Sequence, residues 1–276
     1  MGDCRYCSKP AGLLRGVHKE CEAKHQSGKA GIVSLIQKAT GDTSLINSLN
    51  SAVKDIANGH FIATSDVPSI VIEGWEKAVE SVFEDGILTE QEESNLTNIQ
   101  KHFGFGQEDL DRNGAFTKIV KGAVLRDLLH GKVPERIQVE GSVPLNLQKG
   151  EKLIWIFQGV EYYEQRTRRH FEGGTHGVSI RVAKGLYFRT GGFKGYPVER
   201  TEIIHVGTGI LAITNKHLYF TSGGKSFRIA HSKVVSFQPY SDGVGVQRDA
   251  TTAKPQIFVT GDGWFTYNLL MNVSQL

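Results

Sequence analysis

The first half of the chain has its apolar residues at the spacing of helices. Between residues 29 and 132 they recur every three to four positions, which places them along one side of a helix. After a first helix that contains the run 32–36, the pattern predicts helices at about residues 44–58, 69–84, 89–103 and 114–129. We therefore expect an all-helical bundle over residues 29–134, with a hinge before it at Gln26, Ser27 and Gly28.

Short polar signals mark where these helices begin and end. Thr89 and Glu92 have the spacing of a capping box, in which each side chain bonds to the backbone N–H of the other residue. Gly104 is typical of the residue that follows a helix. The segment from Asp109 matches the first six positions of an EF-hand loop, but the twelfth position is Val120, where a bidentate glutamate is needed. We interpret it as a helix-capping turn.

The sequence around the capping box resembles the helix–turn–helix junction of the tellurite-resistance B (TerB-like) family. In that family a turn of the form acidic-Asp-Gly, here Glu84, Asp85 and Gly86, precedes a helix that starts Thr/Ser-x-x-Glu, here Thr89 and Glu92. The resemblance covers about residues 74–132. Cation binding has been suggested for the family's acidic turn, and it would involve Asp85 and Glu92 here. A glycine-assisted turn followed by a capping box explains the same residues without a cation.

After Pro134 the pattern changes to short runs that are rich in β-branched and aromatic residues. Turn residues separate the runs about every eight to twelve positions, which is typical of an antiparallel barrel or sandwich. The predicted strands cover residues 153–157, 178–182, 186–189, 203–206, 209–213, 217–221, 226–229, 234–237, 244–247 and 256–259. Residues 263–274 return to helical spacing. The fold class is therefore multidomain α+β, and residues 143–276 are expected to form a β-barrel capped by a C-terminal helix.

One hairpin in this half resembles a known family. Residues 209–220 follow the pattern G-x-L-x-[LI]-T-[ND]-[KR]-x-[LI]-x-F of bacterial pleckstrin-homology-like and GRAM-like domains, and residues 227–236 fit the next strand and the segment after it. The resemblance covers about residues 143–276. It implies a barrel closed by one helix, which binds lipid head groups, peptides or protein surfaces. We expect Trp264, at the start of that helix, to plug an open end of the barrel.

All three cysteines lie near the N-terminus, in the spacing Cys4-x2-Cys7 and, ten residues later, His18-x2-Cys21. Two close ligand pairs joined by a loop are typical of a tetrahedral, structural zinc site. So short a segment cannot bury enough apolar surface to fold alone, so the metal would supply the folding free energy. Without a metal, the three residues would be free thiols near a terminus.

The fourth metal ligand has two candidates. His25 follows Cys21 at a workable spacing, but residues 18–21 read as the first turn of a helix. His18 and Cys21 would then face the pair Cys4 and Cys7, as in a treble-clef-like arrangement. We therefore predict a zinc-binding module over residues 1–28 that holds one structural Zn²⁺ through Cys4, Cys7, His18 and Cys21.

The composition adds only broad limits. The hydrophobic share of 39% and the charged share of 22% are ordinary for a soluble globular protein. No apolar run approaches the ~20 residues that span a bilayer, and the first nine residues are too polar for a secretory signal. We expect a cytoplasmic protein. The net charge of +3 is too small to argue for nucleic-acid binding.

The distribution of charge is more informative, because basic residues crowd one stretch, residues 166–200, on both sides of a glycine-rich loop. The candidate ligand-binding residues are Arg166, Arg168, Arg169, Arg181 and Lys184. Acidic residues flank this run, and strand alternation alone would put charges on a solvated face. Alternation also separates Arg169 from Arg166 and Arg168, so we expect at most three or four of these cations to converge. That suffices for a weak acidic-peptide or phosphate site.

No catalytic motif is recognisable, and we expect no enzyme. Ser222, His205 and Asp242 could be named as a triad, but no nucleophile elbow surrounds them. The leading hypothesis is a non-catalytic adaptor with protein partners, in a bacterial stress-response or anti-phage system where the resembled domains occur. Recruitment to anionic lipid is a variant of it. The alternatives are a nucleic-acid-binding protein that uses the zinc module and the arginine-rich stretch, and a hydrolase with an unrecognised site.

Overall fold

The computed structural model describes residues 2–12, 16–84, 88–139, 144–175, 178–183, 186–190, 193–250 and 253–276, with side chains outside residues 167–201. The chain divides into two compact units, Met1–Arg136 and Ile137–Leu276. None of the helices in the described part combines the length and the apolar composition that a membrane crossing requires.

The first unit is helical, as the apolar spacing predicts. Its α-helices are α1 (Lys19–Gly41), α2 (Leu49–Gly59), α3 (Val67–Val82), α4 (Glu90–Phe103), α5 (Gln107–Leu110) and α6 (Ala115–Leu129), with a 3₁₀ helix at Thr43–Ser48 before α2. The capping box of Thr89 and Glu92 is present, and Gly104 ends α4 in the left-handed conformation. Asp111 accepts hydrogen bonds from the Thr117 backbone and hydroxyl, so the segment that mimics an EF-hand is a capping turn.

The expected hinge at residues 26–28 is wrong, because α1 runs through it without a break. Gly28 is buried in this helix, and a Cβ built on it would lie 2.3 Å from the Cβ of His60. The glycine therefore allows α1 to pass close to the end of α2, and it does not loosen the backbone. As a consequence, the helix that carries Cys21 is the same helix that packs into the bundle.

The core of the helical unit is aliphatic with one large aromatic side chain at its centre. Trp75 on α3 is almost fully buried, and its indole N–H donates to the Leu96 carbonyl at 3.1 Å. The last segment of the unit is held by charge: the Arg136 guanidinium donates to Asp127 at 2.7 Å and also to Glu93, which in turn accepts from the buried Arg126. This ion network joins α4, α6 and residue 136.

The second unit is an antiparallel sheet with one helix. Its strands are β1 (Leu153–Thr175), β2 (Val178–Ala183), β3 (Leu186–Thr190), β4 (Phe193–Thr214), β5 (His217–Ser222), β6 (Ser226–Ala230), β7 (Val234–Pro239), β8 (Gly243–Arg248) and β9 (Gln256–Val259), followed by α7 (Gly263–Val273). A 3₁₀ helix at His231–Lys233 joins β6 to β7. Seven strands form one sheet in the order β6-β5-β4-β1-β9-β8-β7, while β2 and β3 pair separately.

The expected closed barrel is wrong: among the described residues, β6 and β7 are the two edges of an open sheet, and no ladder joins them. An alternating apolar pattern indicates that one face of a strand is buried, but it does not indicate which strands pair with each other. The edge strand β7 also has a register irregularity between Val234 and Ser236 and ends in Pro239, which has no N–H to donate.

Strand length is the second difference from the expectation. The two segments predicted at 203–206 and 209–213 lie within the single strand β4, which pairs with β1 from Leu153↔Thr214 to Thr175↔Phe193. Gly209 is a point of close approach here, because a Cβ on it would lie 2.0 Å from the Thr221 carbonyl oxygen. Gly209 therefore allows close packing within a strand, although a glycine in such a sequence is equally typical of a turn.

The predicted C-terminal helix is confirmed, but the prediction that Trp264 anchors it is wrong. Trp264 is 67% exposed, whereas its neighbour Phe265 is 1% exposed. The Phe265 ring meets Trp155 edge-on with centroids 4.8 Å apart, and it lies 6.0 Å from Phe157. Asp262 caps the helix by accepting from the Phe265 N–H, which fixes which of the two aromatic residues faces the core.

Candidate metal centre

The first ligand pair lies on a tight turn at the N-terminus. The Cys4 N–H donates to the Lys9 carbonyl and the Ser8 N–H donates to the Cys4 carbonyl, each at 2.8 Å. An isolated bridge between Asp3 and Pro10 closes the turn. Ser8 adopts a positive φ of 57°, which lets the chain reverse directly after Cys7. The backbone therefore brings the two sulfurs to the same side of the turn.

The second ligand pair lies at the start of α1. His18 is the N-cap residue of this helix, and the Glu22 N–H donates to its carbonyl oxygen at 3.0 Å. Cys21 lies one turn further on, which brings its side chain beneath that of His18. The predicted first helical turn is thus confirmed.

The structure brings together the four predicted ligands, Cys4, Cys7, His18 and Cys21, with their ligand atoms all within 4.8 Å of one another. The Nδ1 atom of His18 is 3.4 Å from the Cys7 sulfur and 3.8 Å from the Cys21 sulfur. A tetrahedron with metal–sulfur bonds of about 2.3 Å has edges of about 3.8 Å, so these separations suit one ion at the centre.

The orientation of the His18 ring is fixed from outside the cluster. Its Nε2 atom lies 3.0 Å from the Pro10 carbonyl oxygen, which can only accept a hydrogen bond. Nε2 therefore carries the proton, and the lone pair of Nδ1 is left facing the sulfurs. In metal sites, the ring nitrogen of a histidine that does not bind the metal usually donates a hydrogen bond to a carbonyl or carboxylate oxygen, and the Pro10 carbonyl provides this contact here.

His25, the alternative ligand, lies elsewhere. It is buried against the bundle, where its Nδ1 atom is 3.1 Å from the Phe61 carbonyl oxygen. The ring of Tyr6 stacks on its ring with centroids 4.7 Å apart. His25 therefore joins the N-terminal turn to the helical bundle, and it does not belong to the group of four side chains that could hold an ion.

The thiols of the cluster influence each other's pKa, because ionisation of one thiol opposes ionisation of its neighbours. Burial opposes ionisation of Cys4, but backbone hydrogen bonds from His18, Tyr6 and Cys7 outweigh it and lower its pKa to about 6. Burial and the neighbouring Cys7 and Cys4 raise the pKa of Cys21 to about 11. The Pro10 carbonyl and then Cys7 raise the pKa of His18. A cation at the centre would remove this competition, because it stabilises every thiolate at once.

The cluster is closed on one side and accessible on the other. Cys4 is buried, while Cys7, His18 and Cys21 are half-buried and line an open cavity of about 600 Å³. Because the chain supplies four ligands, a tetrahedral ion would have no position left for water or substrate. The arrangement therefore suits a metal that stabilises the fold.

Of the five predicted anion-binding side chains, only that of Arg166 is among the described ones. The Arg166 guanidinium lies 3.5 Å from the Glu164 carboxylate, so its charge is partly compensated. In the β1–β4 register Arg168 lies opposite Arg200, and Arg169 lies opposite Glu199. The side chains of Arg168, Arg169 and Arg181, and all of Lys184, fall outside the described residues.

Two other sequence-based candidates have structural partners. Glu92 is engaged in the capping box, where it accepts from the Thr89 N–H and hydroxyl, and Asp85 lies outside the described residues. The Ser222 hydroxyl donates to the Lys225 carbonyl, while His205 Nε2 lies 3.4 Å from the Thr208 hydroxyl. Among the described contacts, none links Ser222, His205 and Asp242 as a triad would require.

A polar network that the sequence did not predict holds the hairpin turn at residues 214–216 in place. The Glu151 carboxylate accepts from Thr214 at 3.1 Å and from Tyr219 at 2.5 Å, and its other contact is His217 Nδ1 at 2.5 Å. The Thr214 hydroxyl also accepts from the backbone N–H of His217. The motif at 209–220 contains the hairpin residues, but Glu151 lies some sixty residues earlier, so no local pattern connects them.

The comparisons do not assign this geometry to a family. No protein-family model matches the chain, and neither the curated proteins nor the solved structures include a significant match. The arguments about function therefore rest on the residues themselves.

Proposed function

We propose that this protein is a non-catalytic adaptor whose N-terminal module is organised by one structural Zn²⁺. The observation that carries the proposal is the group Cys4, Cys7, His18 and Cys21, in which the Nδ1 lone pair faces the sulfurs because Pro10 holds the opposite nitrogen. Three thiolates and one imidazole are the donors of many structural zinc sites.

Zinc fits this donor set better than the other common divalent ions. Mg²⁺ and Ca²⁺ prefer oxygen ligands, and the cluster offers sulfur and nitrogen only. Zinc accepts a tetrahedral arrangement without a preference from its d-electrons. A complete set of four protein ligands favours a structural role over catalysis.

The binding role rests on the other two parts of the chain. The helical unit with its capping box agrees with the TerB-like resemblance. The antiparallel sheet followed by a helix agrees with part of the pleckstrin-homology-like resemblance, but the described strands do not form the closed barrel that it implies. Such parts offer surfaces for recognition. An adaptor in a bacterial stress-response or anti-phage system is the biological setting we favour, with a protein partner ahead of an anionic ligand or lipid.

The test of the zinc site is metal analysis of the full chain purified without added zinc. We expect close to one equivalent of zinc in the natural sequence and a loss of most of it in His18→Ala. His25→Ala is the matched control, since it removes a nearby histidine outside the cluster, and it should keep the metal. Full zinc in His18→Ala together with loss in His25→Ala would refute the ligand set.

Nucleic-acid binding is the second candidate function, and one observation favours it. Of the five cations of this module, Arg5, Lys9, Lys19 and Lys24 are exposed, and Arg15 lies outside the described residues. Exposed Glu20 and Glu22 on the same helix weaken their field. If the module contacts phosphates, binding of the full chain to random duplex DNA should fall steeply as salt is raised, because counterion release sets that slope.

A further inference from the structure

One solvent-facing side of the sheet carries an aromatic and aliphatic row with acidic residues beside it. Tyr163 on β1 is paired with Ile257 on β9, and Ile257 is paired with Gly245 on β8. Residues that are directly opposite in a ladder lie on the same face, so these three form a row about 10 Å wide, two strand spacings. The Tyr240 ring covers Gly245, since a Cβ built on that glycine would lie 3.3 Å from Tyr240 Cε2.

The row is accessible. Tyr240 is 44% exposed, and Tyr163 and Ile257 are half-buried. Two aromatic rings with an aliphatic side chain between them form a floor that suits the methylene stem of a lysine or arginine. The faces of the two rings also attract a cation.

Two carboxylates give this face a negative charge. Glu161 is exposed on the same face of β1 and accepts from the Tyr163 hydroxyl at 2.6 Å. Asp242, in the turn between β7 and β8, is also exposed. The hydrogen bond to Glu161, burial, and then the negative charges of Glu161 and Asp242 raise the pKa of Tyr163, so both carboxylates act on this ring.

On this face, the described residues of β1, β8 and β9 include no lysine or arginine, and the nearest described basic ring is that of His205 on β4, which lies edge-on to the Tyr163 ring with centroids 5.1 Å apart. The described residues that alternate onto this face of β1, β8 and β9 are Glu161, Tyr163, Gln165, Gly243, Gly245, Gln247, Ile257 and Val259. Their only charge is negative. The chemical complement of this face is therefore a cation on a partly apolar stem.

The turns that present the acidic and aromatic residues are firmly held. The Asp242 carbonyl accepts from the N–H groups of Thr260 and Gly261, each at 2.9 Å, and the Tyr240 N–H donates to the Gly243 carbonyl at 3.0 Å. A site whose backbone is fixed before binding loses less entropy when a partner arrives.

We propose that this face, defined by Glu161, Tyr163, Tyr240, Asp242 and Ile257, is a docking surface for a cationic segment of a protein partner. A lysine or arginine side chain lies over the row, and its head group pairs with Glu161 or Asp242.

The test is calorimetric titration of the full chain at low salt with a short peptide of alternating arginine and serine. A peptide of alternating glutamate and serine serves as the probe of opposite charge. We expect binding of the arginine peptide only, and a loss of at least about tenfold in affinity in the variant Glu161→Gln/Asp242→Asn. The matched control is Asp55→Asn, which removes an exposed carboxylate of the helical unit and should leave the affinity unchanged.

The location is checked separately by NMR of the unaltered full chain with the arginine peptide. Shifts centred on Glu161, Tyr163 and Ile257 support the proposal. Absence of binding at low salt, shifts centred elsewhere, or an equal loss of affinity in Asp55→Asn would overturn it. Because the metal cluster takes no part in this titration, its outcome is independent of the zinc proposal.

Discussion

The N-terminal turn and the sheet unit are stabilised by opposite means. In residues 2–12, Cys4 is the only hydrophobic side chain among those described that is buried. The sheet has instead an aromatic cluster in which Tyr162 lies 4.9 Å from Phe220 and 5.1 Å from Phe258, between ring centroids. With the proposed ion bound, the first region would depend on a few ligand atoms, whereas the second depends on a large apolar area removed from water. A single side chain can therefore abolish one structure and only weaken the other.

The largest effect is expected from Cys7→Ser. The metal should be lost, and the N-terminal turn should unfold with it, because no apolar core replaces the cation. Hydrogen exchange of the full chain would show loss of protection in residues 2–12 with unchanged protection in the sheet. Loss of protection in β1 or β4 as well would contradict the separation of the two stabilising mechanisms.

The next effect concerns the two adjacent aromatic residues of α7. Phe265→Ala should lower the free energy of unfolding of the sheet unit by about 3–5 kcal/mol, the range for truncation of a buried aromatic side chain. Trp264→Ala should change it by less than about 0.5 kcal/mol, because that side chain is mostly exposed. Denaturant unfolding of the two variants measures the difference, and equal losses would show that Trp264 is buried after all. Zinc content should stay the same in both.

These two residues also show how far the sequence can predict the fold. Helical spacing predicts α7, but Trp264 and Phe265 differ by one position, and the cap at Asp262 decides which of them turns inward. The grouping of Cys4, Cys7, His18 and Cys21 was predictable, because metal-ligand chemistry depends on short spacings. The place of His25 was not, because it depends on Tyr6 and on the Phe61 carbonyl of a distant loop. In the same way, the strand positions were predictable because they depend on local alternation. The strand order and the open edges were not, because they depend on pairing between distant segments.

A smaller effect is expected where the N-terminal turn meets the bundle. His25→Ala removes the ring that stacks on Tyr6 and the contact with the Phe61 carbonyl. It should lower the free energy of unfolding of the helical unit by about 1–2 kcal/mol, the cost of one lost buried hydrogen bond and its packing. Thermal unfolding measures it. A loss of bound zinc in the same variant would mean that the turn and the bundle are one cooperative structure.

The smallest effect is a dependence on pH in the sheet unit. Burial opposes ionisation of Glu151, but hydrogen bonds from Tyr219, the Gln148 backbone, His217 and Thr214 outweigh it and lower its pKa to about 2. The unfolded value is about 4.3, so the stabilisation is fully present above that pH and is lost as the pH falls towards 2. In Glu151→Gln, the difference between the melting temperatures at pH 6 and pH 3 should be smaller than in the natural sequence. An unchanged difference would show that other carboxylates set the acid sensitivity.

The central claim is that one ion with three sulfur ligands and one nitrogen ligand replaces a hydrophobic core at the N-terminus. X-ray absorption at the zinc edge of the full chain tests it most directly, because it counts the ligand types around the metal. We predict three sulfur atoms at about 2.3 Å and one nitrogen atom at about 2.0 Å, the usual bond lengths of zinc to thiolate and imidazole. A shell dominated by oxygen or nitrogen, or a preparation without stoichiometric metal, would contradict the account.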